Sequence, residues 1–427
     1  MTLRHRLEKA SPAWFSAYSM IAAFAAYFCM YAFRKPFAAL SYEGQTVWAG
    51  ALGLKTALVT SQIIGYMISK YLGVKLCSEL DRNSRGRWLV SLIVIAELAL
   101  LLFAVVPARY KMAAIFLNGL PLGMVWGIVV SYLEGRCVSE LLLAGLSCSF
   151  IVASGVVKDI GRSLVTDGWV APEWMPVSTG LLFLPAFVLS IWLLEQMPVP
   201  TAGDEVARAK RTPMGWPERK AFLMKFLPGL VPLLVFYLLL TAFRDFRDNY
   251  GVELFRSLGL GDKPALFSQT EIPVAVLVVL SMAGLALIRN NRQALLGVFG
   301  VMITGSALLV GATLLLDAGL IGGIGWMFLL GLGSYLAYVP FGSVLFDRVM
   351  AHTRATGNAV FAIYIADSLG YTGSVALQLV KDLGAAESGH LEFFRIYCYA
   401  TGGLGVILLS LGGSYFVRSP VAATGEA

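Results

Sequence analysis

Twelve apolar stretches, each about as long as a bilayer-crossing helix, run nearly end to end through this chain of 427 residues. A helix needs about 20 apolar residues to cross the hydrocarbon. Windows of that size fall near 14–37, 52–74, 88–106, 112–133, 141–165 and 177–195, then near 226–247, 266–288, 294–316, 321–346, 357–380 and 393–417. Only 14% of the residues are charged and 58% are hydrophobic, where soluble domains carry about 25% charged residues. The expected fold class is therefore all-α, a polytopic membrane protein with 12 transmembrane helices.

The longest polar interval, Pro198 to Lys225, is too short to be a folded domain. It divides the chain into a six-helix bundle over 1–197, a cytoplasmic linker over 198–225 and a second six-helix bundle over 226–427. No G-x-x-x-x-G-K-[ST] motif occurs, which argues against direct ATP drive. Cys29, Cys77, Cys137, Cys148 and Cys398 lack C-x-x-C spacing and read as small packing residues. His5, His352 and His390 are expected in loops or tails, so no histidine relay is anticipated. With no nucleophile–base pair and no metal-ligand set in view, neither an enzyme nor a cofactor or metal is expected. Arg4, Arg6 and Lys9 precede an apolar run that continues through Phe33 without a processing site, and it reads as a retained first helix.

The formal charge of +7 is concentrated on one side rather than suited to nucleic acid. With both termini inside, the cytoplasmic side collects Arg4, Arg6, Lys9, Lys75, Arg82, Arg85, Arg87, the linker's Arg208, Lys210, Arg211, Arg219, Lys220 and Lys225, then Arg289, Arg292, Arg348 and Arg354. The opposite loops around 166–176 and 317–320 hold no Lys or Arg. The expected location is the plasma (inner) membrane, multi-pass, with both termini cytoplasmic.

An internal repeat adds the architecture. Tyr27 and Ala32-Phe33-Arg34 return as Tyr237 and Ala242-Phe243-Arg244, about 210 residues later. Ser61-Gln62 returns as Ser268-Gln269, and Arg82-Asn83-Ser84-Arg85 as Arg289-Asn290-Asn291-Arg292, both about 207 later. Gly119 and Arg136 match Gly331 and Arg348, about 212 later. An ordered series at nearly constant offset means that the two six-helix halves are copies. Parallel six-helix halves with a substrate site between them are the major facilitator plan. Gly119-x-x-x-Gly123, with Gly331 and Gly333, permits close helix approach.

Charges inside apolar windows mark candidate function. Arg34 and Lys35 come late in the first window, and Arg244 and Arg247 occupy the equivalent region of the seventh. Tyr27 and Tyr237 each precede their arginine by seven residues, near two helical turns, so each tyrosine and guanidinium share a face. Guanidinium forks match phosphate or carboxylate bidentately and keep their charge. Asp245 and Asp248 are placed to neutralise Arg244 and Arg247 when no anion is bound. Lys70 is a further cation in apolar surroundings. Glu97, Asp159, Glu271 and Asp367, with Lys158 beside Asp159, are the candidates for coupling. Asp81, Arg82 and Arg85 between windows 2 and 3, Glu134 and Arg136 after window 4, and Asp347 and Arg348 after window 10 are candidates for gating salt bridges.

The Asp81-Arg82 loop resembles the Asp-Arg signature of the major facilitator superfamily, with Cys77 and Ser84 where that signature has glycines. Tyr27-x-x-x-Tyr31-x-x-Arg34-Lys35-x-Phe37 resembles the first-helix motif of the organophosphate:phosphate antiporters, and Ser69-Lys70 followed by Asp81-Arg82 is similar to that family's second helix and loop. The resemblance implies that Arg34 and Arg244 contact phosphate, that Lys35 and Lys70 add positive potential, and that Tyr27 and Tyr31 hydrogen-bond the substrate. It is strongest over about residues 27–90 and weaker around 237–250. Ser154 stands where the family has a histidine, and Glu134-Gly135-Arg136 departs from its fourth-helix ending.

Three readings follow. The first is a monomeric secondary transporter that moves an organic anion, foremost a phosphorylated small molecule, in exchange for inorganic phosphate. The second is a proton-coupled symporter of a sugar, peptide or cell-wall fragment. The third is a membrane sensor that binds without translocating.

Overall fold

The computed structural model describes residues 3–40, 42–47, 52–133, 136, 139–199, 216–261, 265–288, 290–353, 359–381 and 389–418. Each of the twelve windows holds a helix. In the first half these are α1 (Pro12–Met30), α2 (Leu54–Glu79), α3 (Arg85–Val105), α4 (Lys111–Leu133), α5 (Ser139–Thr166) and α6 (Met175–Glu195). In the second they are α7 (Trp216–Asn249), α8 (Leu266–Ala286), α9 (Asn291–Asp317), α10 (Gly323–Ser343), α11 (Ala359–Leu379) and α12 (His390–Arg418). Among the described residues, ten of these regions are long and apolar enough to cross a membrane. The α2 helix carries Lys55 and Lys70 within its span.

Two expectations need correction. The three histidines lie in helices rather than loops or tails: His5 in Leu3–Glu8, His352 buried in Leu345–Thr353, and His390 at the first residue of α12. Arg34 and Lys35 are not inside the first helix. The α1 ladder tightens into a 3-10 turn over Tyr31–Phe33, and a second short turn begins at Pro36, which has no N–H with which to continue the ladder. A two-residue antiparallel ladder, β1 (Thr46–Val47) with β2 (Leu52–Gly53), follows in the connection to α2. Arg208, Lys210, Arg211, Arg289 and Arg354 fall outside the described residues.

Local chemistry sets the helix starts. Ser11 precedes α1, its Oγ accepting from Trp14 N at 3.3 Å, and Pro12 occupies the first helical position where no N–H is needed. Asn290 caps α9 by accepting from Arg292 N and Gln293 N at 3.0 and 3.1 Å. A sheath of apolar side chains faces outward, as the bilayer requires: on α3, Val94, Ile95, Leu98, Leu101, Leu102 and Val105 are exposed while Leu89, Ile93, Ala96, Leu100 and Phe103 are buried.

By contact the chain forms two compact units. One comprises Met1–Ala202, Phe246–Ile272 and Val375–Phe393; the other comprises Gly203–Asp245, Pro273–Ser374 and Phe394–Ala427. In the first unit α2 and α4 pack backbone to backbone. A Cβ on Gly119 would run into the Gln62 carbonyl oxygen, one on Gly123 into the Tyr66 carbonyl and one on Gly65 into the Phe116 carbonyl. In the second unit α9 and α10 do the same, each of Gly305 and Gly333 facing the other's carbonyl.

The duplication seen in the sequence extends to contacts. The Tyr27 ring meets Trp126 edge-on at 4.8 Å, and Tyr237 stacks on Tyr338 at 5.2 Å, with Trp126 and Tyr338 related by the same 212-residue offset as the fourth and tenth helices.

Gly119→Ala should lower stability by about 1–3 kcal/mol, because the backbones must part to admit the methyl group. Gly311→Ala, which meets nothing within 4 Å, is the control. Thermal unfolding of the two variants in the same detergent separates a packing requirement at this seam from a general cost of alanine for glycine.

Candidate functional site

The break at the end of α1 is held in place by polar side chains from two neighbouring helices. Gln62 Nε2 donates to the Arg34 carbonyl at 2.9 Å and to Asn118 Oδ1 at 2.7 Å. Asn118 Nδ2 then donates to the carbonyls of Phe33 and Ala96 at 2.9 and 3.0 Å. The bonds to Phe33 and Arg34 serve carbonyls at the broken end of α1, where the helical ladder stops. Arg34 is 4% exposed, and its guanidinium carbon lies 4.0 Å from the Tyr66 ring centroid and 5.8 Å from that of Tyr31. Lys70, one turn beyond Tyr66, places Nζ 5.5 Å from the same ring. Tyr66 thus gathers two cations over one π system.

Lys35, next in the chain, belongs to a different arrangement. Its Nζ lies 2.5 Å from Asp248 Oδ2 and 3.0 Å from Asn249 Oδ1. Lys158 Nζ reaches Asp248 Oδ1 and the Asp248 carbonyl, both at 2.7 Å, and Ser154 Oγ also bonds that carboxylate. One carboxylate is therefore shared by two ammonium groups in buried surroundings. Beside it Arg247 Nη1 pairs with Glu271 Oε1 at 2.7 Å. Asp159 Oδ2 accepts from both Ser268 N and Ser268 Oγ, at 2.8 and 2.5 Å, acting as an N-terminal cap for α8 supplied by α5. Lys55 bonds both Glu253 oxygens at 2.5 and 2.7 Å, and Thr56 Oγ1 lies 2.5 Å from Tyr250 Oη. All of these groups belong to the first compact unit. They tie the ends of α1, α5 and α7 to the starts of α2 and α8.

In the second unit Arg244 lies 4.1 Å from the Tyr338 ring centroid and donates to Asp245 Oδ1 at 3.1 Å. Asp245 Oδ2 accepts from Ser374 Oγ at 2.8 Å. Tyr237 Oη donates to Asp367 Oδ1 at 2.5 Å and shares a hydrogen bond with Tyr338 Oη at 2.9 Å. Each half therefore presents an arginine stacked on a buried tyrosine. The stacked tyrosine comes from α2 in one half and α10 in the other.

The candidates for coupling separate by environment. Lys158, Asp159, Glu271 and Asp367 are engaged as described. Glu97 on α3 is 8% exposed and has no hydrogen-bond partner for either carboxylate oxygen among the described residues. Among the candidates for gating, the arginines bind main chain or amide oxygen. Arg82 Nη2 donates to the Met197 carbonyl at 2.5 Å and Arg136 Nη2 to the Pro198 carbonyl at 2.6 Å, both just past the end of α6. Arg85 Nη1 donates to the Ser131 carbonyl at 3.0 Å and Arg348 Nη1 to Asn291 Oδ1 at 3.0 Å. Asp81 is exposed and begins the turn Arg82–Ser84, while Asp347 is half-buried in Leu345–Thr353. Glu134 lies outside the described residues.

Sequence reasoning passed over Tyr66, Asn118, Asn249 and Tyr338. Gln62, Tyr66 and Lys70 share a face of α2 by their four-residue spacing, a signal that was present. Asn118 and Tyr338 sit in apolar helices with no such pattern.

Comparison with known proteins places this geometry on a shared fold. The structure matches that of the human organic anion transporter MFSD10 (TETRAN) with a TM-score of 0.58 at 15% identity, over 94% of this chain and 100% of the other. It matches the major facilitator superfamily proton:xylose symporter XylE with a TM-score of 0.60 at 14% identity, over 96% and 97%. It matches the nucleoside transporter NupG with a TM-score of 0.57 at 13% identity, over 93% and 99%. At such identities the likeness establishes the fold, an all-α, polytopic major facilitator fold, and no more. No curated protein sequence matches the chain. A family profile described as "Family of unknown function (DUF5690)" matches residues 36–419, and the chain belongs to that family.

Proposed function

We propose that this protein is a secondary transporter that moves an organic anion, foremost a phosphorylated small molecule, by alternating access in exchange for inorganic phosphate. The observation that carries this reading is the pair of buried arginines at repeat-equivalent positions, Arg34 over Tyr66 and Arg244 over Tyr338. A ring face stabilises a buried guanidinium by cation–π attraction while leaving its charge in place, and a guanidinium matches the oxygens of an oxyanion. The fold is one shared by proteins described as organic anion, xylose and nucleoside transporters.

In this reading Arg34 and Arg244 contact the anion, with Tyr27, Tyr31, Lys70 and Tyr237 around them. The segments 1–197 and 226–427 are the moving bodies and 198–225 is the cytoplasmic linker between them. Lys35, Lys158 and Asp248, with Arg247 and Glu271, form a gate on the side away from the termini rather than substrate contacts. The arginines at 82, 85, 136 and 348 hold the helix ends on the other side. The protein works as a monomer in the inner membrane with both termini cytoplasmic. A proton-coupled mode has one observation in its favour, the Glu97 carboxylate.

Counterflow in proteoliposomes loaded with inorganic phosphate, run against a panel of phosphate esters and carboxylates, tests the reading. Uptake of at least one ester is expected, and no exchange by folded protein overturns it. Arg34→Lys and Arg244→Lys should each weaken the ester's apparent affinity about tenfold, because an ammonium retains charge but loses a fork worth roughly 1.5 kcal/mol.

Asp248→Asn tests the gate separately. Leaving Lys35 and Lys158 buried without their shared carboxylate should cost about 3–5 kcal/mol in thermal unfolding. Adding Lys158→Met to that variant should restore part of the loss, whereas a purely steric role for Asp248 predicts no restoration.

A further inference from the structure

Glu97 has a setting unlike that of every other carboxylate described above. It lies on the buried face of α3, midway along a membrane-crossing helix, and neither Oε1 nor Oε2 has a donor among the described residues. Its neighbour across the seam is Gly180 of α6, where even a methyl group would collide with the carboxylate oxygens. The seam is thus shaped around the carboxyl group by a residue with no side chain. A carboxylate whose oxygens both lack donors and counter-charges is costly to bury, whereas a protonated acid is far less so.

The charged and titratable groups on the elements packed against α3 lie away from this point. From α4 these are Lys111, whose Nζ sits 4.6 Å from the Phe103 ring, six residues along α3 and so about 9 Å further on, and Tyr132, against which Arg85 packs. From α6 comes Glu195, which lies against Gly86, eleven residues or roughly 16 Å toward the other end. The turn Tyr31–Phe33 and its cap supply Tyr31 and Arg34, the latter over Tyr66. The turns Arg82–Ser84 and Pro172–Trp174 contribute Arg82 and Glu173 at the two ends.

What Glu97 does have is a mechanical neighbour. Ala96, the preceding residue, offers its carbonyl to Asn118, whose amide also holds the Phe33 carbonyl, while Gln62 ties Asn118 to the Arg34 carbonyl. The backbone at Glu97 is therefore two hydrogen-bonded side chains from the backbone that presents Arg34. Phe187, two turns along α6 from Gly180, also contacts Phe33. The repeat places Thr304 at the equivalent position of α9, so the carboxyl group is no part of the duplicated architecture.

We infer that Glu97 is a proton-binding site, buried in the α3–α6 seam and linked through Asn118 and Gln62 to the position of Arg34. The proton adds to one carboxylate oxygen to give the neutral acid and leaves when the seam opens to water. A group that binds a proton in one arrangement of the seam and releases it in another must, by linkage, bias the arrangement in return. That this bias acts on anion movement rests on the transport reading; the proton site itself does not.

Difference infrared spectroscopy of the purified protein in lipid nanodiscs, recorded as pH is raised, tests the site without any solute. The expected result is a protonated-carboxyl C=O band that disappears on titration, reduced by one carboxyl equivalent in Glu97→Gln. A titrating band of full size in folded Glu97→Gln, or no titrating carboxyl band in the wild type, overturns the proposal. Should Glu97→Gln fail to fold, Glu97→Asp is expected to fold with the band shifted in frequency and midpoint, and an unshifted band counts against the site. A failed counterflow assay leaves this result untouched, and a missing band leaves the anion reading untouched.

Discussion

An ion held far from water must be matched where it stands, and this requirement organises the first compact unit. The desolvation cost of an ion far from water is recovered only through close partners of opposite sign and good hydrogen bonds. Lys35, Lys55, Lys158 and Arg247 meet Asp248, Glu253 and Glu271, with Asp159 spending its charge on the start of α8. The groups come from the ends of α1, α5 and α7 and the starts of α2 and α8. Those ends are consequently fixed to one another, and the compact unit containing the first half extends into Phe246–Ile272.

The twelve helices were legible because the hydrocarbon thickness imposes a length and the solvent imposes a composition, and both are written into single windows of sequence. The repeat was legible because duplication preserves order and spacing, and Tyr27–Trp126 and Tyr237–Tyr338 show that it also preserved contacts. The end of α1 was misplaced. Apolar residues continue past Tyr31, so hydropathy sees one span to Phe37, while Pro36 removes the donor on which the helix would depend. Partners were harder to see. Asp248 was read as a neighbour able to neutralise Arg247, one residue away, yet its carboxylate serves Lys35 and Lys158 from α1 and α5. Separations of 90 and more residues leave no trace in local spacing.

The arginine pair illustrates how a sequence motif can be correct about a residue and silent about its support. Charge and repeat position singled out Arg34 and Arg244. The rings that hold them, Tyr66 and Tyr338, come from non-equivalent helices, so the duplication that revealed the arginines concealed their platforms. The amide of Asn118 was equally hidden. In an apolar helix an isolated amide gives no periodic signal, although Asn118 and Gln62 together bond the Phe33 and Arg34 carbonyls where α1 breaks.

Asymmetry between the halves then carries the functional argument further than symmetry does. At the residue after the repeated arginine the first half has Lys35 and the second has Asp245. Asp245 stays with its own arginine and with Ser374, so the second-half guanidinium is partly neutralised where it stands. Lys35 pairs with Asp248, so the charge that the family resemblance assigned to the anion is committed to fixing helix ends. On the transport reading Asp245 is an internal competitor for the fork at Arg244. Such a competitor limits the cost of the empty site and weakens the hold on a bound anion by the same interaction, which favours turnover over tight retention.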